Sequence, residues 1–133
     1  MATKKKKVPF MYINGVALPT PKVGFSYTTS TMVDSGRNAK AQVVGNKIGR
    51  DQTKLDNLEW GYLDADTWEA VLKQFAKFKC TVRYYEPALG HWVTRYMYPG
   101  DRTYEPYKVD PTTGQPTGYI NCKCNLVDMG YGG

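Results

Sequence analysis

The sequence predicts a mostly β protein: a β-sandwich or split barrel of about seven to eight antiparallel strands, with one α-helix flanking it at about residues 65–77. Three observations carry this expectation. Extended runs rich in β-branched and aromatic residues recur along the chain, separated by Gly, Pro, Asn and Asp. A single segment changes from strand-like chemistry to the 3.6-residue period of a helix. The chain of 133 residues has room for one hydrophobic core, so helix and strands must share it.

Residues 8–13 are apolar and aromatic and run into Asn14-Gly15, the strongest short signal for a hairpin turn. A small hairpin is expected there, ending at Pro19-Thr20-Pro21. From Gly24 to Val33 the run with Phe25, Tyr27, Thr28, Thr29 and Thr31 has strand chemistry, and Asp34-Ser35-Gly36 reads as a turn. Two more extended stretches follow, at 39–48 and 55–60. Gly45, Gly49 and Asp51 interrupt them at a polar tip, so about 34–58 is expected to form an extended hairpin arm.

In the helix, Trp68, Val71, Leu72 and Phe75 occupy positions i, i+3, i+4 and i+7 of one face. Asp64 or Asp66 supplies the N-cap. With Asp66 there, Glu69 falls at N3 as an acidic capping box, and Lys73 and Lys77 sit near the negative end of the helix dipole.

Strand chemistry returns at 80–86 and 91–98, joined by Pro87-Ala88-Leu89-Gly90, a loop that sets Tyr85 opposite Trp92. One face then carries Cys80, Val82, Tyr84, Val93 and Met97, and the other Arg83, Thr94, Tyr96 and Tyr98. A short extended piece at 104–109 and a Pro/Thr/Gly/Gln loop precede the last strand, 118–128, with Ile120, Cys122, Cys124 and Leu126 inward. The organisation is a basic tail, 1–8, and a single β-rich domain, 9–133, without internal repeats.

The formal net charge of +6 points at first to a polyanion partner. Lys4, Lys5, Lys6 and Lys7 carry four of those charges; setting them aside leaves 14 cations against 12 acids, a net of +2. Such a run reads as a solvated tail, a nuclear import signal, a polyanion anchor or an assembly arm. Between Gly36 and Lys54, Arg37, Lys40, Lys47, Arg50 and Lys54 face the single acid Asp51. These nine cations are the candidate subunit-interface residues, because a basic arm can reach an acidic patch on a neighbour and fix register in a ring. Mean hydropathy is −0.53 and no stretch approaches the ~20 apolar residues of a membrane-spanning helix, so no membrane partner is expected. The N-terminus lacks the apolar segment of a secretory signal, and synthesis in the cytoplasm is expected.

No chemical motif survives inspection. Gly45 to Asp51 has three residues between its glycines, not the four of a phosphate-binding loop, and Arg-Asp follows where Lys-Ser/Thr is required. His91, the one histidine, has no acid or thiol near it in sequence, and Cys122-x-Cys124 lacks the spacing of a zinc site. Cys80, Cys122 and Cys124 read as reduced thiols packed as small hydrophobes. Asp64 and Asp66 are explained by capping and Asp101 by a turn. No catalytic, metal or cofactor residue is predicted, and the chain reads as a non-enzyme. The alternative function is single-stranded nucleic-acid binding by Tyr85, Trp92, Tyr96 and Tyr98 beside Arg83, set against a body charge of only +2.

Several segments in order carry a likeness: Ile13-Asn14-Gly15-Val16, Gly36-Arg37-Asn38-Ala39, Lys54-Leu55 with Leu58-Glu59-Trp60, Leu63, Val82 to Glu86-Pro87 with Gly90, and Tyr98-Pro99-Gly100-Asp101-Arg102. Over about residues 10–128 the chain resembles small tail proteins encoded by long-tailed phages and prophages. That resemblance implies a structural virion component in or near the tail tube or baseplate, with a tail-tube-like fold. It implies hexameric rings of copies of itself, contacts with other tail proteins, DNA only as cargo passing through a channel, and no catalytic residues.

Overall fold

Asn14 and Gly15 both adopt positive φ, 48° and 85°, the left-handed pair that a two-residue hairpin turn requires. They close β1 (Met11–Ile13) onto β2 (Val16–Leu18), with Ile13 opposite Val16. Asn14 also braces its surroundings. Its Oδ1 accepts from the Thr81 N–H at 2.7 Å and its Nδ2 donates to Gln74 Oε1 at 3.0 Å. The structure, a computed structural model, describes residues 8–31, 33–37, 43–47 and 49–131 and, for 33–37 and 43–47, the course of the backbone alone.

The remaining elements are β3 (Ser26–Ser30), β4 (Val33–Arg37), β5 (Val43–Lys47), β6 (Gln52–Asp64), α1 (Ala65–Phe75), β7 (Cys80–Glu86), β8 (His91–Pro99), β9 (Thr103–Val109) and β10 (Pro116–Asp128). Eight strands form one curled antiparallel sheet, a half-barrel, in the order β2-β1-β7-β8-β10-β6-β3, with β9 paired to β10 beside that path. The expected mostly β fold with one flanking helix is what the chain adopts.

The curl originates in the two 13-residue strands, β6 and β10, which pair from Gly118↔Asp64 to Val127↔Lys54. Their register shifts between Cys124 and Leu126, where Asn57 (φ 57°) adds a residue to β6. An extra residue bends a strand and increases its local twist. A second break lies where Gly61 and Asn121 (φ 52°) face each other, and buried positions step from Trp60 to Leu63 and from Tyr119 to Cys122. For that reason Cys122, Cys124 and Leu126 point inward as expected, whereas Ile120 is half-buried and Tyr119 takes the core position.

Three local expectations need correction. Asp34-Ser35-Gly36 is not a turn but lies inside β4, with Gly45 of β5 opposite Ser35. The link between these strands, 38–42, lies outside the described residues. The segment 52–64 belongs to the main sheet and not to the arm, because Thr53, Leu55, Leu58 and Trp60 are all buried there. Lastly, of the two candidate N-caps Asp64 takes the position, in extended conformation and with no side-chain capping bond, because α1 follows β6 without a loop, so the capping box expected of Asp66 with Glu69 does not form. Asp66 falls in the first turn, and Glu69 accepts from the Tyr119 hydroxyl at 3.0 Å.

Trp68, Val71 and Phe75 of α1 are buried with the inward residues of the sheet, among them Met11, Ile13, Leu58, Val82, Tyr84 and Met97. The periodicity of α1 and the alternation of β7 and β8 therefore meet in one core. The opposite, outward faces of β1, β7 and β8 are left to solvent or a partner.

Candidate functional site

β4 and β5 pair only with each other, Arg37 opposite Val43 and Val33 opposite Lys47, and form a sheet separate from the half-barrel. Both feet of this hairpin are tied down. Thr31, just before it, donates to Asp51 Oδ1 at 2.8 Å. Arg50, just after it, forks onto Asp128 at the end of β10, with Nη1 2.5 Å from Oδ2 and Nη2 2.7 Å from Oδ1. Asp128 also accepts from the N–H groups of Gly130, at 2.8 Å, and Thr53, at 3.3 Å. Its side chain is 1% exposed. Burial alone would raise its pKa, but the Arg50 fork, the two backbone donors and the Arg50 charge outweigh burial and hold it below the usual aspartate value.

Beside this anchor, the Tyr84 hydroxyl donates to Glu86 Oε2 at 2.5 Å, and Glu86 Oε1 accepts from the Ala88 N–H at 3.2 Å. Tyr84 and Glu86 are buried. Burial first, and then the bond to Glu86, pushes the Tyr84 pKa up, so it remains a phenol that donates. Arg50, Thr53, Glu86 and Arg95 line a small cavity of about 140 Å³. The network satisfies polar groups that the core would otherwise strand, and it makes the root of the arm rigid.

The second surface is the outward face of β7 and β8. Tyr85 lies opposite Trp92, as expected, and the rings meet edge to face at 6.4 Å. The Arg83 guanidinium lies 5.6 Å over the Trp92 ring. Farther along, Lys79 Nζ sits 4.1 Å from the Tyr96 ring centre and 5.4 Å from that of Tyr131, and Phe78 stacks on Tyr98 at 5.1 Å. Among the described residues no carboxylate occupies an outward position of β1, β7 or β8.

Of the nine candidate interface cations, Lys4, Lys5, Lys6, Lys7 and Lys40 lie outside the described residues. Arg37 ends β4 and Lys47 ends β5, both on the arm. Arg50 is joined to Asp128 of its own chain, and Lys54, in the main sheet, pairs with Asp56 at 3.3 Å. The structure thus gives Arg50 an internal role that its position in a basic stretch did not suggest. Asp128, 78 residues away, carried no local signal at all. Phe78, Lys79 and Tyr131 also escaped sequence reasoning, because they reach the aromatic face from turns outside its strands.

Cys80, Cys122 and Cys124 are buried free thiols. Burial pushes all three up, Cys122 to about 11 and Cys124 to about 12, which suppresses the thiolate that reacts. His91 Nδ1 lies 3.0 Å from the Trp92 carbonyl, and His91 and Cys80 stand at opposite ends of the β7–β8 ladder. A thiol-specific reagent is therefore expected to label the native protein negligibly and all three cysteines once denaturant is added. Rapid labelling of any one in the native state would contradict this burial.

The fold and these surfaces define a curled β half-barrel with a tethered two-stranded arm. Comparisons with protein-family models, with curated proteins and with solved structures find no match for this chain.

Proposed function

We propose that this chain is a structural subunit of a phage tail, a virion protein that assembles with copies of itself into a ring in the tail tube or baseplate region. The arm carries the reading. A lone two-stranded hairpin is marginally stable in water, yet β4–β5 forms a separate sheet while its feet are held by Thr31–Asp51 and Arg50–Asp128. A rigid root suits a hairpin that completes its packing on a neighbour. Arg37 and Lys47 on the arm, with Lys40 and Lys4 to Lys7 outside the described residues, are the proposed contact cations. The resemblance to small tail proteins supplies the setting: a hexameric ring, other tail proteins as partners, and DNA as passing cargo.

The test is assembly. Light scattering after size exclusion, with negative-stain imaging at rising concentration, should show oligomers for the full chain. Replacing residues 34–47 by a short Gly-Ser linker should leave a folded monomer. A full chain that stays monomeric at every concentration and does not join tail proteins would overturn the reading.

A further inference from the structure

The half-barrel presents two unlike surfaces. One is the outward face of β7–β8, where Tyr85 is 44% exposed and Leu89, in the loop beyond, 53%. Arg83 is poised over Trp92 there and no carboxylate neighbours it on those strands. The other is an apolar groove of about 820 Å³ beside β2 and the junction of β6 with α1, lined by Pro9, Pro19, Tyr62, Leu63, Asp64 and Thr67. That volume lies in the range of sites that bury bulky apolar groups, roughly 300–1,000 Å³. Tyr62, 54% exposed, meets Tyr107 edge to face at 5.9 Å and extends the apolar wall.

The charges of the two surfaces are opposite. Asp64 and Asp66, both exposed, make no ion pair among the described residues. Asp64 is an N-cap residue whose side chain makes no capping bond, so its carboxylate is not engaged by its own helix. Asp64 therefore offers an acid beside an apolar groove, and Arg83 offers a cation beside an aromatic pair.

We infer that the Tyr85–Trp92 end of the β7–β8 hairpin of one copy docks in the groove of the next, with Arg83 against Asp64. The hairpin end and the groove are different patches of the chain, so a contact between them is asymmetric. The contact is head-to-tail, which closes into a ring where the rotation permits. The aromatic rings supply the buried apolar area and the charges fix register and exclude wrong partners. This inference rests on the assembly reading above and names a contact separate from the arm.

Charge exchange tests it in the full chain. Arg83→Glu and Asp64→Lys, each alone, should weaken self-association by about tenfold or more. Both folds should melt close to the wild type, because Arg83 is exposed and Asp64 makes no capping bond. Mixing the two variants should restore assembly to near the wild-type level, since each then meets an opposite charge at both surfaces. Trp92→Ala should weaken assembly and not be rescued by either. If the single variants assemble like the wild type, this docking is wrong while the assembly reading stands. If the wild type itself is a strict monomer, both fall. If a labelled single-stranded oligonucleotide binds at low salt and Arg83→Glu with Trp92→Ala abolishes that binding while leaving association intact, the face serves nucleic acid and the docking is overturned.

Discussion

Replacing Arg50 by alanine is expected to destabilise the protein by about 3 kcal/mol, the scale on which removing one partner strands a buried charge. The loss is large because Asp128 is nearly sealed from solvent and would keep only its two backbone donors. Urea or heat denaturation measures it, and a loss under about 1 kcal/mol would show that the fork is replaceable by solvent. The pair also predicts a pH dependence. The folded pKa of Asp128 is depressed below the roughly 3.9 of a free aspartate, so its contribution is complete above about pH 4 and disappears as pH falls through the depressed value. The wild type should therefore lose stability steeply below about pH 4. Asp128→Asn, less stable at neutral pH, should show a shallower acid limb, and identical limbs would remove Asp128 as the titrating group.

Trp68→Ala should cost about 4 kcal/mol, in the range for emptying a large aromatic site in a core. Trp68 is fully buried between Trp60, at 6.3 Å, and Tyr104, at 5.7 Å, and ties α1 to the sheet. Trp68→Phe should cost far less, about 1 kcal/mol, for a specific reason: the Trp68 Nε1 donor is buried without an acceptor among the described residues. Phenylalanine gives up volume but also removes an unpaired donor that costs about 1–3 kcal/mol. Equal losses for the two variants in urea denaturation would mean that Nε1 is satisfied in solution.

The elements that sequence reasoning located best are those whose signals are local. The Asn14-Gly15 turn follows from two residues that tolerate positive φ, and the Tyr85–Trp92 register follows from a four-residue loop. The helix follows from Trp68, Val71 and Phe75 on one face. The arm was displaced for an equally physical reason. Gly36, Gly45 and Gly49 are weak strand residues, and a reading by propensity puts turns on them, whereas Gly36 and Gly45 lie within the paired strands β4 and β5. The two breaks in β6 and β10 shift the inward set by a residue, and alternation alone cannot foresee a bulge.

The sequence by itself determined the fold class, the single core, the hairpin at Asn14-Gly15 and the amphipathic helix, because each depends on periodicities or turn chemistry within a few residues. Only the tertiary structure decided the strand order, the curl of the sheet, and the partner of Arg50. Those depend on contacts far apart along the chain, such as Arg50 with Asp128 and Thr31 with Asp51. The same holds for the surfaces. Composition revealed a near-neutral body with basic extensions, but only folding placed Arg83 beside Trp92 and Asp64 beside an apolar groove.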